Sequence, residues 1–177
     1  MRNQPEAARR SALKWRRALD MVEWVTAQLP DNSQFQVYGF NTKAKAVQPD
    51  TTGKWLSSND PRVINNVLSA ARNITPQEGT SLVNAFLTVR TIEPQPDQII
   101  LITDGLPTQG SVPASRKFIN ARDREKLFND AMKTMTRDQP IDVVLLPMKG
   151  DMPAAYAFWS LARKSGGSYV VPSRDWP

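Results

Sequence analysis

The sequence predicts an α/β domain, a doubly wound, mostly parallel sheet flanked by helices. Three observations carry that prediction. Segments with apolar residues at three- and four-residue spacing alternate with short β-branched runs along the whole chain, the pattern of helices and strands wound onto one sheet. Two of the runs, residues 98–103 (QIILIT) and 141–147 (IDVVLLP), are largely apolar, as suits strands covered on both faces. Each is bounded by turn formers, Pro96-Asp97 and Asp104-Gly105 around the first and Asp138-Gln139-Pro140 before the second. They are too short and too abruptly ended for buried helices.

The elements follow in order. A long first helix is expected over residues 5–29, with Ala8, Ala12, Trp15, Leu19, Val22, Val25 and Leu29 forming one apolar stripe. Arg9, Arg10, Lys14, Arg16 and Arg17 lie mostly off that stripe, and Pro30-Asp31-Asn32 stops the helix. Residues 35–40 alternate as a strand, Asn41-Thr42 turns the chain, and residues 44–47 are expected to pair back as an antiparallel edge. Residues 48–59 read as a polar loop. Asp60-Pro61 then places a capping carboxylate before a first-turn proline, and Val63, Ile64, Val67, Leu68 and Ala71 supply the buried face.

A second loop, residues 77–81, opens a helix facing inward through Leu82, Ala85, Phe86 and Val89. The central strand at 98–103 follows. Residues 106–117 are irregular, and a helix is expected over 120–137 on Leu127, Phe128, Ala131, Met132 and Met135. After the strand at 141–147 and a loop at 148–152, residues 153–164 form the last helix, which Gly166-Gly167 ends. Residues 168–171 are the last strand.

Composition narrows the chemistry. At 177 residues one domain spanning 1–177 is expected, long enough to bury a core. The chain has no Cys and no His, which removes thiol nucleophiles, disulfides, imidazole bases and the usual zinc, copper and haem ligands. Hard oxygen ligands are what remain for metal chemistry. A formal charge of +6, concentrated in the first helix, reads as a solvated face, and no nucleic-acid partner is expected. No signal peptide or membrane segment is expected, and the chain as given reads as soluble. Trp15 and Trp159 sit among apolar helix positions and are expected in the core, with Trp55 and Trp176 the exposed aromatics.

An enzyme needs a nucleophile with a base, a carboxylate pair or a phosphate loop. The sequence holds no Gly-x-Gly-x-x-Gly, no Gly-x-x-x-x-Gly-Lys-Ser/Thr and no Gly-x-Ser-x-Gly. A non-enzymatic role is therefore expected. The remaining enzymatic alternative is a Mg²⁺-dependent phosphohydrolase acting through Asp104, with Asp151 after another strand as the carboxylate that could approach it.

Asp104 is the leading site candidate, because it stands at the carboxyl end of the central strand, where open α/β sheets bind ligands. Three motifs join it: Gly79-Thr80-Ser81 opening a helix, Thr103-Asp104-Gly105 ending the strand, and residues 160–169 closing the last helix into the last strand. Together they resemble the von Willebrand factor type A domain family, in the right order over nearly the whole chain. The resemblance implies a Rossmann-like fold with a metal-ion-dependent adhesion site, holding Mg²⁺ or Mn²⁺ and engaging an acidic group of a protein partner. The family pattern has an Asp-x-Ser-x-Ser loop after the first strand, a Thr in a second loop and an Asp after the fourth strand. Thr80 and Asp104 match the last two as metal ligands. Ser81 is a neighbouring hydroxyl that either joins the set or caps the helix.

The departure from the family is its first central strand, whose Asp-x-Ser-x-Ser occurs nowhere in the sequence. That strand belongs between the strands matching 35–40 and 99–103, so two facing edges are expected to stand open. Three explanations arise. Met1 is an internal methionine of a longer protein, the flanking strands close on each other, or another chain donates the strand; the first is preferred. The expectation is an N-terminally incomplete interaction module that binds divalent metal weakly or not at all alone. Its alternative is a metal-independent scaffold that assembles through the sheet edges, self-association included, or through its basic first helix.

Overall fold

The computed structural model describes residues 5–77, 79–112, 119–135, 139–146 and 151–173. The segment expected to be irregular through 117, the end of the helix expected to 137, residue 147, the loop at 148–150 and Trp176 lie outside these, in part or whole.

The parallel core matches the expectation. Strand β5 (Ile99–Thr103) pairs parallel with β6 (Ile141–Leu145), which pairs parallel with β7 (Tyr169–Val170). Helices cover both faces of this sheet. On one face α4 (Leu82–Val89), α5 (Ala121–Thr134) and α6 (Met152–Ser165) bury Leu82, Phe86, Phe128, Ala131, Phe158 and Leu161 against Leu101, Ile141, Val143 and Leu145. Phe158 and Phe128 meet edge to face with centroids 5.2 Å apart, and burying each such ring contributes about 1.5–3 kcal/mol. On the other face α2 (Leu13–Ala27) sets Met21 and Ala18 against Ile102, Val144 and Leu146.

Local signals act where the residues place them. Asp60 caps α3 (Pro61–Arg72) by accepting from Arg62 N at 2.9 Å. Gly166 ends α6 in the left-handed region at φ 81°. Gly167 then passes so close to Ile141 that a Cβ there would strike its backbone.

Four expectations are corrected. The single first helix is two, α1 (Glu6–Arg10) and α2, because Ala12 is extended at φ −59° and ψ 131°. The break lets Arg9 Nη1 donate to Pro76 O at 3.4 Å and Arg10 Nε to Thr75 Oγ1 at 2.6 Å. The strand at 35–40 is also two, β1 (Gln34–Phe35) and β2 (Tyr38–Phe40). Gln36 interrupts it, its Oε1 accepting from Val37 N and its Nε2 donating to Thr51 O and Lys54 O. The polar loop contains structure of its own, a 3₁₀ turn at Pro49–Thr51 and β4 (Leu56–Ser57), which pairs antiparallel with β1. Trp159 is 42% exposed, beside the Tyr156 ring and the Arg163 guanidinium, because α6 buries the face carrying Phe158 and Leu161 instead.

The hairpin is as expected: β3 (Ala44–Ala46) pairs antiparallel with β2. Among the described residues β2 and β5 pair with no strand on their other sides and do not close on each other. A cleft of about 1870 Å³ lies between them. No described helix is long and apolar enough to cross a membrane.

Candidate functional site at the carboxyl end of the central strand

The carboxyl end of β5 is built by three segments that the backbone ties together. Thr80 N donates to Thr108 Oγ1 at 2.9 Å, and Thr80 O accepts from Thr108 N and Gln109 N, both at 2.9 Å. Ser81 bridges Gln109 in parallel, and its N–H donates to Asn41 O at 2.7 Å, at the end of β2. The loop carrying Thr80 and the loop that begins at Asp104 are thus one assembly. Gly79 lets them approach, since a Cβ there would stand 2.6 Å from Thr108 Oγ1 and 2.8 Å from Gln109 Cγ.

Ser81 is fully buried. Its Oγ donates to Gly110 O at 2.7 Å and accepts from Asn84 N at 3.2 Å as the N-cap of α4. One hydroxyl has one proton to give, and here it is spent on a carbonyl while a lone pair receives the helix N–H.

Asp104 is half exposed. Lys14, in the first turn of α2, brings Nζ to 3.4 Å from Asp104 Oδ2. A pair this accessible is screened and adds little to stability. Its meaning is local, because the carboxylate that the family pattern assigns to a cation has an ammonium against it.

Asp151 and Arg124 form a unit that no sequence motif marks. Asp151 Oδ2 accepts from Leu106 N at 2.8 Å and from Arg124 Nη2 at 2.7 Å, with side-chain exposures of 3% and 12%. Arg124 also donates to Leu106 O through Nε and Nη2. The pair pins the loop just after Asp104 from beneath, and Gly105 accommodates it because a Cβ there would strike Asp151 Oδ2. Asp151 thus supports the loop, with its carboxylate committed to Leu106 and Arg124. The one sequence signal was an acidic residue after a second strand.

These groups, as arranged, do not fit a hard divalent cation, which takes six oxygen ligands. One carboxylate faces an ammonium, and the buried hydroxyl has its proton and one of its two lone pairs engaged. Among the described residues no three carboxylates gather into a metal-holding group.

No family model matches the chain, and no curated protein matches it. Among solved structures the chain is similar to von Willebrand factor type A from Catenulispora acidiphila, at 20% identity and a TM-score of 0.54. The likeness covers 95% of this chain and 34% of that one, so the chain spans about a third of that protein's length. The fold is therefore of the von Willebrand A type.

Proposed function

We propose that this chain is a non-enzymatic protein-interaction module of the von Willebrand A type that recognises an acidic group of a protein partner at the carboxyl end of β5. The fold supports an interaction role, and fold alone gives function only as a prior. The observation that carries the reading is Asp104 at the end of β5, on a loop laced to Thr80, with the Lys14 ammonium 3.4 Å from its carboxylate. Thr80 and Asp104 are the family's ligand positions. Part of the same proposal is that the chain, one domain over 1–177, is of this fold without its first central strand, and with that strand go the ligands of its loop. Alone, the chain then binds Mg²⁺ or Mn²⁺ weakly or not at all. Lys14 supplies positive charge at this edge for a partner's carboxylate.

Calorimetric titration of the purified chain with Mg²⁺ and Mn²⁺, with mass in solution checked on the same sample, tests the metal part. The expected result is no saturable heat below about millimolar ion, a range of weak sites. Tight binding by a monomer would overturn it. Acid recognition is tested with a glutamate-rich peptide in the presence of chelator. Binding that Lys14→Ala abolishes supports the reading, and no binding by the wild-type chain removes it.

A second reading, a metal-independent assembly domain, is favoured by the two strand edges that face the cleft and, among the described residues, pair with no other strand.

A further inference from the structure

The structure assigns the outward face of α6 as a docking surface for an amphipathic helix of a protein partner, laid antiparallel to α6 with an acidic residue in its first turn. The surface uses none of the residues at the end of β5 and does not rest on the reading of that site.

α6 is apolar on two faces, and the core takes only one. At 3.6 residues per turn, Ala154, Phe158, Leu161 and Ala162 fall within an arc of about 100°, and all are buried in the core. Met152, Tyr156, Trp159 and Arg163 fall within about 60° of one another, on a stripe roughly 140° around the helix. Met152 is 88% and Tyr156 72% exposed, although a helix apolar on every side is ordinarily covered on every side.

Single exposed apolar residues are ordinary on a surface. These recur at spacings of four, three and four, which is the seam along which one helix packs on another. The Tyr156 and Trp159 rings lie 5.9 Å apart at an interplanar angle of 35°, so they form one platform.

Charge selects the occupant. Residues 152–165 contain no Asp or Glu. The stripe ends in Arg163, whose guanidinium lies 5.4 Å from the Trp159 ring centroid. Stacking on a ring leaves the edge N–H groups of a guanidinium for a carboxylate. Among the described residues no ion pair engages Arg163. The occupant therefore sets a carboxylate opposite Arg163 and apolar residues four, seven and eleven positions on, over Trp159, Tyr156 and Met152.

Direction follows from the helix dipole. A carboxylate is favoured in the first turn of its own helix, and Arg163 stands in the last turn of α6. The partner helix then begins where α6 ends and runs antiparallel to it.

A second copy of this chain does not supply the charge. Two α6 helices packed together bring no acidic residue to either Arg163, and Asp151, just before the helix, is buried against Arg124 and Leu106. A flat anionic lipid surface fits less well than a helix, because α5 on the same side of the sheet carries Asp123, Glu125 and Asp130 among its basic residues.

The test uses the whole chain and two synthetic peptides with blocked ends, SPEAQQLAQLAAQLAK and its lysine variant SPKAQQLAQLAAQLAK. The readout is the Trp159 indole N–H in a ¹⁵N NMR spectrum, assigned with Trp159→Phe. The expected result is that the acidic peptide shifts this signal saturably. The lysine variant should bind at least about tenfold more weakly, since it sets a like charge against Arg163. Arg163→Glu should reverse the order of the two peptides. A dispersed spectrum reports a folded chain, so the absence of a shift in wild type in that state overturns the proposal. Equal binding of both peptides overturns it too, as does a Tyr156→Ser chain that binds as well as wild type. A shift produced by phosphatidylserine–phosphatidylcholine vesicles and not by the peptide would make a lipid surface the occupant and overturn it. A shift that grows with chain concentration alone, together with a dimeric mass, would do the same for a second copy. The glutamate-peptide titration reads Lys14 and this one reads Trp159 and Arg163, so either proposal can fail alone.

Discussion

Arg124 and Asp151, from the first turn of α5 and the residue before α6, form a buried ion pair at 2.7 Å beneath the loop that begins at Asp104. Both groups also bond the backbone of Leu106. Removing one member of such a pair leaves the other charge buried without its counter-charge, which costs about 3–5 kcal/mol. Arg124→Met should therefore lower the urea midpoint sharply. Arg124→Met with Asp151→Leu should recover much of that loss. A single variant as stable as wild type would show that the pair does not hold the loop.

Ser81→Ala separates a cap from a ligand. The substitution deletes the α4 cap and leaves Gly110 O without its donor. The expected loss is about 2 kcal/mol from these two interactions, read by denaturant unfolding. Loss of a metal response with stability unchanged would instead assign Ser81 to a ligand set.

Lys14→Ala should change stability by no more than about 1 kcal/mol, since both partners of its ion pair are substantially exposed. Its effect belongs to the ion. Removing the ammonium leaves Asp104 as an uncompensated carboxylate, so affinity for Mn²⁺ should rise relative to wild type, and Asp104→Ala should abolish the gain. Calorimetry on the three proteins checks the order. Equal Mn²⁺ affinities in all three would show that Lys14 does not compete for Asp104.

The start of α3 is acid-sensitive. The Arg62 side chain, and then its backbone N–H, hold the Asp60 carboxyl below its ordinary value. A carboxyl depressed in the folded state adds stability that is fully present above its unfolded value, near 4. That stability is lost as pH falls through the depressed value. The protection factors of the amides in the first turn of α3, corrected for intrinsic exchange, should fall below about pH 4, and Asp60→Asn should flatten that dependence. An identical pH profile in the variant would discount the pairing with Arg62.

What the sequence shows of this molecule follows the range of each signal. β5 and β6 are legible because a two-sided environment demands an unbroken apolar run, and the ends of α3 and α6 because Asp60-Pro61 and Gly166 act within a turn. The breaks at Ala12 and Gln36 are not. Each goes with contacts to residues far along the chain, Thr75 and Pro76 in one case, Thr51 and Lys54 in the other. The site divides the same way. Thr80 and Asp104 stand out through their motifs, whereas Lys14 reads as one more charge on a basic helix until α2 is folded against β5. The stripe on α2 was legible as apolar, and only the fold shows that it faces a cleft.

No ladder of backbone bonds among the described residues runs from the β2–β3 hairpin to the β5–β6–β7 sheet. What joins them near the site includes Ser81 N to Asn41 O and Asn84 Nδ2 to Thr42 O, both 2.7 Å, at the foot of α4. The hairpin and the sheet are therefore coupled through side-chain packing, Phe40 against the core included, and through the foot of α4 rather than through strand pairing. A strand laid between them would weld the two along their length, so that whatever supplies it also decides how firmly the hairpin is held.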